Sequence, residues 1–228
     1  LFAATGASAL TEGDAMHKLA WMLVFSAGNV LGVEQDARWW LSIGAGIGEV
    51  EVVGHERAAT VAAVLQGAGY QVNNIMGAAE NDDTDTWLVS LGYRASPNWG
   101  WAARFHDMGR TEGNFSADLE DFTTPVFGSI ESTYRAYSVS ALGYWPVWHW
   151  LELSAELGVH HWQHEFSLQS SVGVDEDSSD SGNNVLFGFG AGLRATSWFS
   201  FDLAWQRYYG IEDEAGVDVK SITAVLSF

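Results

Sequence analysis

Three histidines in one short stretch, His160, His161 and His164, are the first residues whose type and spacing could do chemistry, because imidazole nitrogen is a common zinc ligand. An extended backbone defeats that reading. His160 and His161 would point to opposite faces of a strand, and His164 would lie roughly 13 Å along the strand from His160, too far to share one ion at normal bond lengths. These are expected to be interfacial or loop-base histidines. Hydrolytic chemistry fails on spacing too. Strand-borne deacylases place His and Ser two apart on one face, whereas His164 is followed by Glu165, Phe166 and Ser167, and no nucleophile-elbow motif occurs. The acidic clusters Glu80 to Asp85, Asp118 to Asp121, Asp175 to Asp180 and Glu212 to Glu214 match no EF-hand spacing. Solubility and mutual repulsion account for them; carboxylates bridged to phosphates through hard divalent cations are the functional alternative.

The remaining charges belong to a repeating pattern. From Arg38 onward the chain alternates with a period of two between polar or Gly-rich interruptions, which is the signal of strands and not of helices. Leu151, Leu153, Ala155, Leu157 and Val159 oppose Glu152, Ser154, Glu156, Gly158 and His160, giving one oily and one polar face. Comparable strands begin near Trp39, Thr86, Trp99, Tyr137, Val185 and Phe199, and the last ends with Ile222, Ala224, Leu226 and Phe228 on one face. That makes eight. Short turns at Ser96-Pro97-Asn98, Pro146 to His149 and Ser197-Trp198 alternate with longer links at 53–85, 109–132, 168–183 and 210–217, and His55 to Ala68 has a helix-like composition within the first of these.

Alternation alone also fits a soluble barrel with its apolar face inward. Residue size decides for the opposite orientation. Gly44, Gly46, Gly48, Gly188, Gly190 and Gly192 share the polar face with long charged groups, as needed inside an eight-strand lumen just wide enough for side chains. Trp39, Trp99, Trp145, Trp148, Trp150 and Trp198 stand at strand starts or short turns, where one membrane interface would gather them into an aromatic girdle. The fold class is therefore an all-β, eight-stranded antiparallel up-and-down transmembrane barrel. Arg94, Arg104, Arg194, Glu152, Glu156 and Asp202 project into its lumen and must pair, because an isolated buried ion is very costly. Arg194 and Asp202 are equidistant from Trp198, so a hairpin centred there would oppose them. The expectation is an ion-paired plug.

Composition narrows the class. Charged residues form 17% of the 228, against 12 Trp and 12 Phe, and the net charge is −19 with only ten Lys and Arg, which argues against a nucleic-acid partner. The absence of cysteine removes thiolate metal sites and cysteine nucleophiles. Met16-His17-Lys18 followed by the apolar Leu19 to Phe25 reads as a signal peptide over 16–32, cleaved after Gly32, with residues 1–15 an uncertain upstream segment and the barrel over 38–228.

Trp39 to Gly48, Asp82 to Arg94, Phe105 to Gly109, Tyr137 to Pro146, Gln206-Arg207-Tyr208 and Ser221 to Phe228, in that order, resemble the OmpA-like transmembrane β-barrel family. The resemblance implies a Gram-negative outer membrane, lipid and lipopolysaccharide as surroundings, and recognition of the strand ending in Ile222, Ala224, Leu226 and Phe228 by the barrel-assembly machinery. Ala102 stands where similar proteins often carry an inward acid, and Asp202 and Ala204 replace a frequent Arg and Glu pair, so the lumen is wired differently. Nothing after Phe228 suggests a peptidoglycan-binding domain. The leading expectation is a non-enzymatic structural or surface-interaction barrel without cofactor, its loop ligands unknown; small-solute transport or weak porin activity and lipid A modification are the alternatives.

Overall fold

A computed structural model describes residues 38–50, 54–77, 83–211 and 216–228. The segments read as upstream residues 1–15 and signal peptide 16–32 lie outside the described residues, as do Glu212 to Glu214. The elements in chain order are β1 (Arg38–Val50), α1 (Gly54–Gly67), β2 (Val72–Met76), β3 (Asp83–Ser96), β4 (Trp99–Leu119), β5 (Val126–Trp148), β6 (Leu151–Ser170), β7 (Asp175–Arg194), β8 (Phe199–Tyr209) and β9 (Gly216–Ser227). Eight strands close a ring: β1 pairs with β3 and β9, neighbours follow in chain order, and β4 joins β5. Closure leaves no sheet edge within the ring.

Period-two alternation produces the ring directly. On β1, Leu41, Ile43 and Ile47 face out, while Ser42, Gly44, Gly46 and Gly48 face in. Gly46 must be glycine. A Cβ there would lie 2.1 Å from the Lys220 carbonyl oxygen of the neighbouring strand. Three tight turns and the C-terminus share one end of the ring. At the first of these, the Ser96 hydroxyl accepts from the backbone N–H of Asn98 and of Trp99, both at 3.2 Å, a local side-chain-to-backbone bond that sets a turn.

The β7–β8 hairpin differs from the sequence expectation by one position. Gly192 faces Asp202 and Arg194 faces Ser200, so the register centres on Ser197 and not on Trp198. A one-residue change in the centre of symmetry separates Arg194 from Asp202.

The second difference concerns the long links. Residues 109–119 and 126–132 are strand, and so are 168–170 and 175–183. β4, β5, β6 and β7 run 20 to 23 residues, against 11 to 14 for β1, β3, β8 and β9. A bilayer needs roughly 9–11. The longer four therefore rise as a wall past the far end of the ring, with β2 hydrogen-bonded to β4 along that extension. Along the wall the apolar face turns inward: Phe115, Ala117 and Leu119 of β4, Ile130 of β5, and Phe166 and Leu168 of β6 are buried. On β4 the change of face is made by a bulge between Asp107 and Arg110. There Gly109 takes φ +86, a conformation open to glycine at little cost, and its N–H donates to Asp107 Oδ1 at 3.0 Å. α1, the helix-like segment of the sequence, packs Val61 and Leu65 on this inner face.

Candidate functional site

The ring interior is a stack of tiers. Nearest the turn end, Arg94 on β3 reaches Glu152 on β6 through two hydrogen bonds, Nη1 to Oε1 at 2.9 Å and Nη2 to Oε2 at 2.6 Å. Such bidentate charge-assisted pairs are strong and geometrically selective. The Arg94 guanidinium also lies 4.1 Å from the centre of the Tyr144 ring and donates to the Pro97 carbonyl at 2.5 Å. Arg194 reaches the same Glu152 only at 4.0 Å.

One tier further in, Glu156 accepts from Arg104 at 2.8 Å, from the Ser140 hydroxyl at 2.6 Å and from Gln206 Nε2 at 2.6 Å. Arg104 Nε donates to Ser90 Oγ at 2.9 Å. Arg94, Arg104, Arg194, Glu152 and Glu156 are thus brought together, while among the described residues the Asp202 carboxylate accepts only from Ser200 Oγ, at 3.5 Å. Ala102, where an acid was noted as missing, is fully buried. These two tiers leave a cavity of about 440 Å³ lined by Arg94, Arg104, Glu152, Glu156, Asp202 and Gln206 and by the turn-end residues Arg38, Ser197 and Ser227.

Above them the interior becomes apolar. Val50, Met108, Tyr134, Ala136, Trp162, Leu186, Tyr208, Val217 and Val219 form one buried cluster across the ring, drawn from seven of its eight strands. This hydrophobic layer lies across the ring beside the inward charges expected from sequence, whose actual pairs, Arg94 with Glu152 and Arg104 with Glu156, come from the register and not from the expected opposition of Arg194 and Asp202. Tyr208 joins the two regions: its hydroxyl is 3.0 Å from His106 Nδ1, and His160 packs edge-on to its ring at 5.1 Å.

The outermost tier ties α1 to the wall. Arg57 is buried and donates to the Tyr134 hydroxyl at 2.5 Å. Tyr134 stacks on His164 at 4.7 Å with the rings 5° from parallel. His161 lies outward beside Asn183, so the adjacent pair His160 and His161 takes opposite faces. His164 stands beyond the apolar band, where burial and then the nearby Arg57 cation push its pKa down to about 4. Arg57, Tyr134 and Tyr208 carry this interior yet escape sequence reading, because each follows only from which neighbour the register supplies; Gln206 is legible as a polar-face residue of β8, but its bond to Glu156 is not.

On the outside, Trp39, Trp99, Trp145, Trp148, Trp150 and Trp198 are all exposed at the turn end, and Trp148 stacks on Trp150 at 5.4 Å. Ile222, Leu226 and Phe228 face outward too. Phe228 and Trp39 exchange both backbone hydrogen bonds, at 3.1 and 2.9 Å. A second aromatic row, missed in the sequence, lies further along on five of the eight ring strands: Trp87 against Phe105, Phe105 against Tyr137 and Phe187 against Trp205, with centroids 5.1–5.2 Å apart. Beyond this row the outer surface is charged. Arg110 pairs with Glu131 at 3.2 Å, Arg135 with Glu165 at 3.3 Å and Arg207 with Asp218 at 2.9 Å; Lys220, opposite Trp205 at the level of the row, pairs with Glu49. Two aromatic rows bounding an apolar band are the outer face that a bilayer requires.

A sequence model for the outer membrane protein beta-barrel domain matches residues 19–228. No curated protein matches the chain. Among solved structures, the attachment invasion locus protein Ail of Yersinia pestis is 18% identical, with 85% of this chain and 100% of that one covered at a TM-score of 0.50. Neisserial surface protein A is 11% identical at the same coverage with a TM-score of 0.49, and the N-terminal β-barrel domain of Pseudomonas aeruginosa OprF is 12% identical, again at that coverage, with a TM-score of 0.48. At such identities the likeness to Ail speaks to the fold alone.

Proposed function

The chain belongs to the outer membrane protein beta-barrel domain family and resides in the bacterial outer membrane, and on that premise we propose that it is a closed, non-enzymatic barrel that holds an acidic, helix-capped wall outside the cell. The turn end and Phe228 then face the periplasm, as short turns do in this class. The apolar layer across the lumen is the observation that carries the reading. Water and ions crossing it would have to separate side chains that fill the ring from seven strands, and closely packed interiors do not leave such a path. The wall supports the other half. β4 to β7 continue past the outer aromatic row, and their exposed residues include Asp175, Glu176, Asp177 and Asp180.

On the same reading the six turn-end tryptophans anchor the periplasmic interface, and Phe228 with Leu226, Ala224 and Ile222 serves as the assembly signal. Lipid and lipopolysaccharide are the immediate neighbours. Reconstitution into planar bilayers tests the closed state: no discrete, stable conductance is expected, and large single-channel steps would sink the proposal. Unchanged lipid A in mass spectra of expressing cells is the matching expectation for a non-enzyme; a shifted lipid A mass would replace this reading with an enzymatic one.

A further inference from the structure

The outer wall ends in an open strand edge. β6 accompanies β7 from Leu193 to Asp175 without a break in register, but β8 pairs with it only from Arg194 to Leu186. From Val185 to Asp175, β7 therefore has no second neighbour among the described residues. Successive residues of an antiparallel strand aim their backbone groups at alternate sides. The Arg194 N–H donates to the Trp150 carbonyl at 2.8 Å, on the β6 side, so the even-numbered residues of β7 bond to β6 and the odd-numbered ones face the open edge. Two donors on that edge bear this out. The Ser181 N–H turns to Asp180 Oδ1 at 2.7 Å and the Val185 N–H to Asn184 Oδ1 at 2.8 Å, local side-chain bonds in place of a ladder.

The charge on this edge makes it selective. Asp175, Glu176, Asp177 and Asp180 lie along it, all exposed, and no Lys or Arg falls between Asp175 and Val185. Glu176 and Asp180 stand opposite the buried Leu168 and His164, on the inner face, whereas Asp175 and Asp177 stand opposite Gln169 and Ser167, on the outer face. Both faces are therefore acidic. A second copy of the chain would bring four like charges against four, and charged edges are a common guard against such self-pairing. The same charge favours an incoming cationic strand.

We propose that this edge of β7 is a docking site for an extended, Lys- or Arg-rich polypeptide segment, which adds to the wall as a further strand. Backbone groups of Asp175, Asp177, Ser179, Ser181, Asn183 and Val185 supply the pairing, as in strand addition elsewhere, and the carboxylates on both faces choose the charge. The edge's position outside the cell rests on the function proposed above; the edge itself does not.

Full-length protein extracted from outer membranes into detergent micelles is titrated with three peptides of about ten residues, enough to span Asp175 to Val185. One alternates Lys and Thr, one has Glu in place of Lys, and one is the Lys peptide N-methylated throughout. Saturable binding is expected for the first alone. On binding, amide hydrogen exchange at Asp177, Ser179, Ser181 and Asn183 is expected to slow roughly tenfold or more, with the even-numbered residues unchanged. Ser179→Pro removes a donor that faces the edge and no bond to β6, and is expected to weaken binding roughly tenfold or more. The combined variant Asp175→Asn, Glu176→Gln, Asp177→Asn and Asp180→Asn is expected to weaken it as far and to remove its salt dependence. Heat-modifiable gel mobility checks folding, and the combined variant, nearly isosteric and at exposed positions, carries the test if Ser179→Pro does not fold. Equal binding of the N-methylated peptide, binding without protection of the odd-numbered amides, or an unchanged affinity in Ser179→Pro would each overturn the proposal, since charge alone would then explain the contact. Protection of those amides without peptide, rising with protein concentration, would overturn it in favour of a second copy. Binding in micelles but not to intact expressing cells would uphold the edge and remove the outside placement of the wall.

Discussion

Two carboxylates in this protein look alike as sequence and differ in what surrounds them. Glu156 is buried and accepts three hydrogen bonds from three strands, whereas Glu165 meets Arg135 in the open. Glu156→Gln removes the charge that compensates Arg104 in a site with little water, and loss of one member of a buried pair costs on the order of 3 kcal/mol. Glu165→Gln should cost less than about 1 kcal/mol. Urea unfolding of the barrel in micelles separates the two, and equal midpoints would refute the distinction. Glu156 was legible as an inward charge from alternation alone; its partners were not, since Arg104 lies 52 residues away and only register brings them together. His164 carries a second expectation. Burial, followed by repulsion from Arg57, lowers its folded pKa from 6.5 to about 4, so below pH 6.5 the unfolded or detached state takes up the proton first. Stability of the α1 contact is then full above pH 6.5 and falls towards pH 4, by at most about 3 kcal/mol. Hydrogen exchange of α1 in the native protein against a His164→Phe variant reads this; a pH slope that persists unchanged in the variant assigns it to other groups.

At the scale of elements, the alternation rule succeeded within the bilayer and failed above it for one reason. In the apolar band the outward face must be oily, so Leu153, Leu157 and Val159 face lipid on β6. Past the outer aromatic row the outward face meets water, and the oily positions Trp162, Phe166 and Leu168 of the same strand turn to the inside. The period of two continues while its meaning reverses. A polar-faced stretch such as Asp175 to Asn183 therefore reads as a loop when it is the outer half of a strand. On β4 the face also changes at Gly109, where a Cβ would sit 2.4 Å from the Asp85 carbonyl oxygen. Gly109→Val should disrupt the bulge and misdirect Phe115 and Leu119, stripping α1 of its seat. Leu65→Asp should detach the helix from the other side by placing a charge in a fully buried position. Both variants are expected to keep heat-modifiable mobility as barrels while residues 54–77 become sensitive to protease on intact cells. Wild-type resistance in both variants would show that α1 is held by something other than this apolar seat.

For the whole molecule, the two candidate seals can be told apart. α1 roofs the wall, but the apolar layer belongs to the barrel strands and lies beneath it, with Met108, Trp162, Leu186 and Tyr208 on β4, β6, β7 and β8. Removing residues 54–77 deletes the roof and the Arg57 bond to Tyr134, yet none of those residues belongs to the layer. The shortened barrel should stay as silent in planar bilayers as the full chain. Replacing Met108 and Trp162 together with alanine should act in the opposite way. It removes two large side chains from the layer, and a cavity there, next to Tyr208 and the polar tier below, would admit water and connect the polar cavity to the outside. Discrete conductance steps are therefore expected from Met108→Ala/Trp162→Ala and not from the deletion. Steps appearing only when 54–77 is removed would make α1 the seal and the apolar layer mere packing.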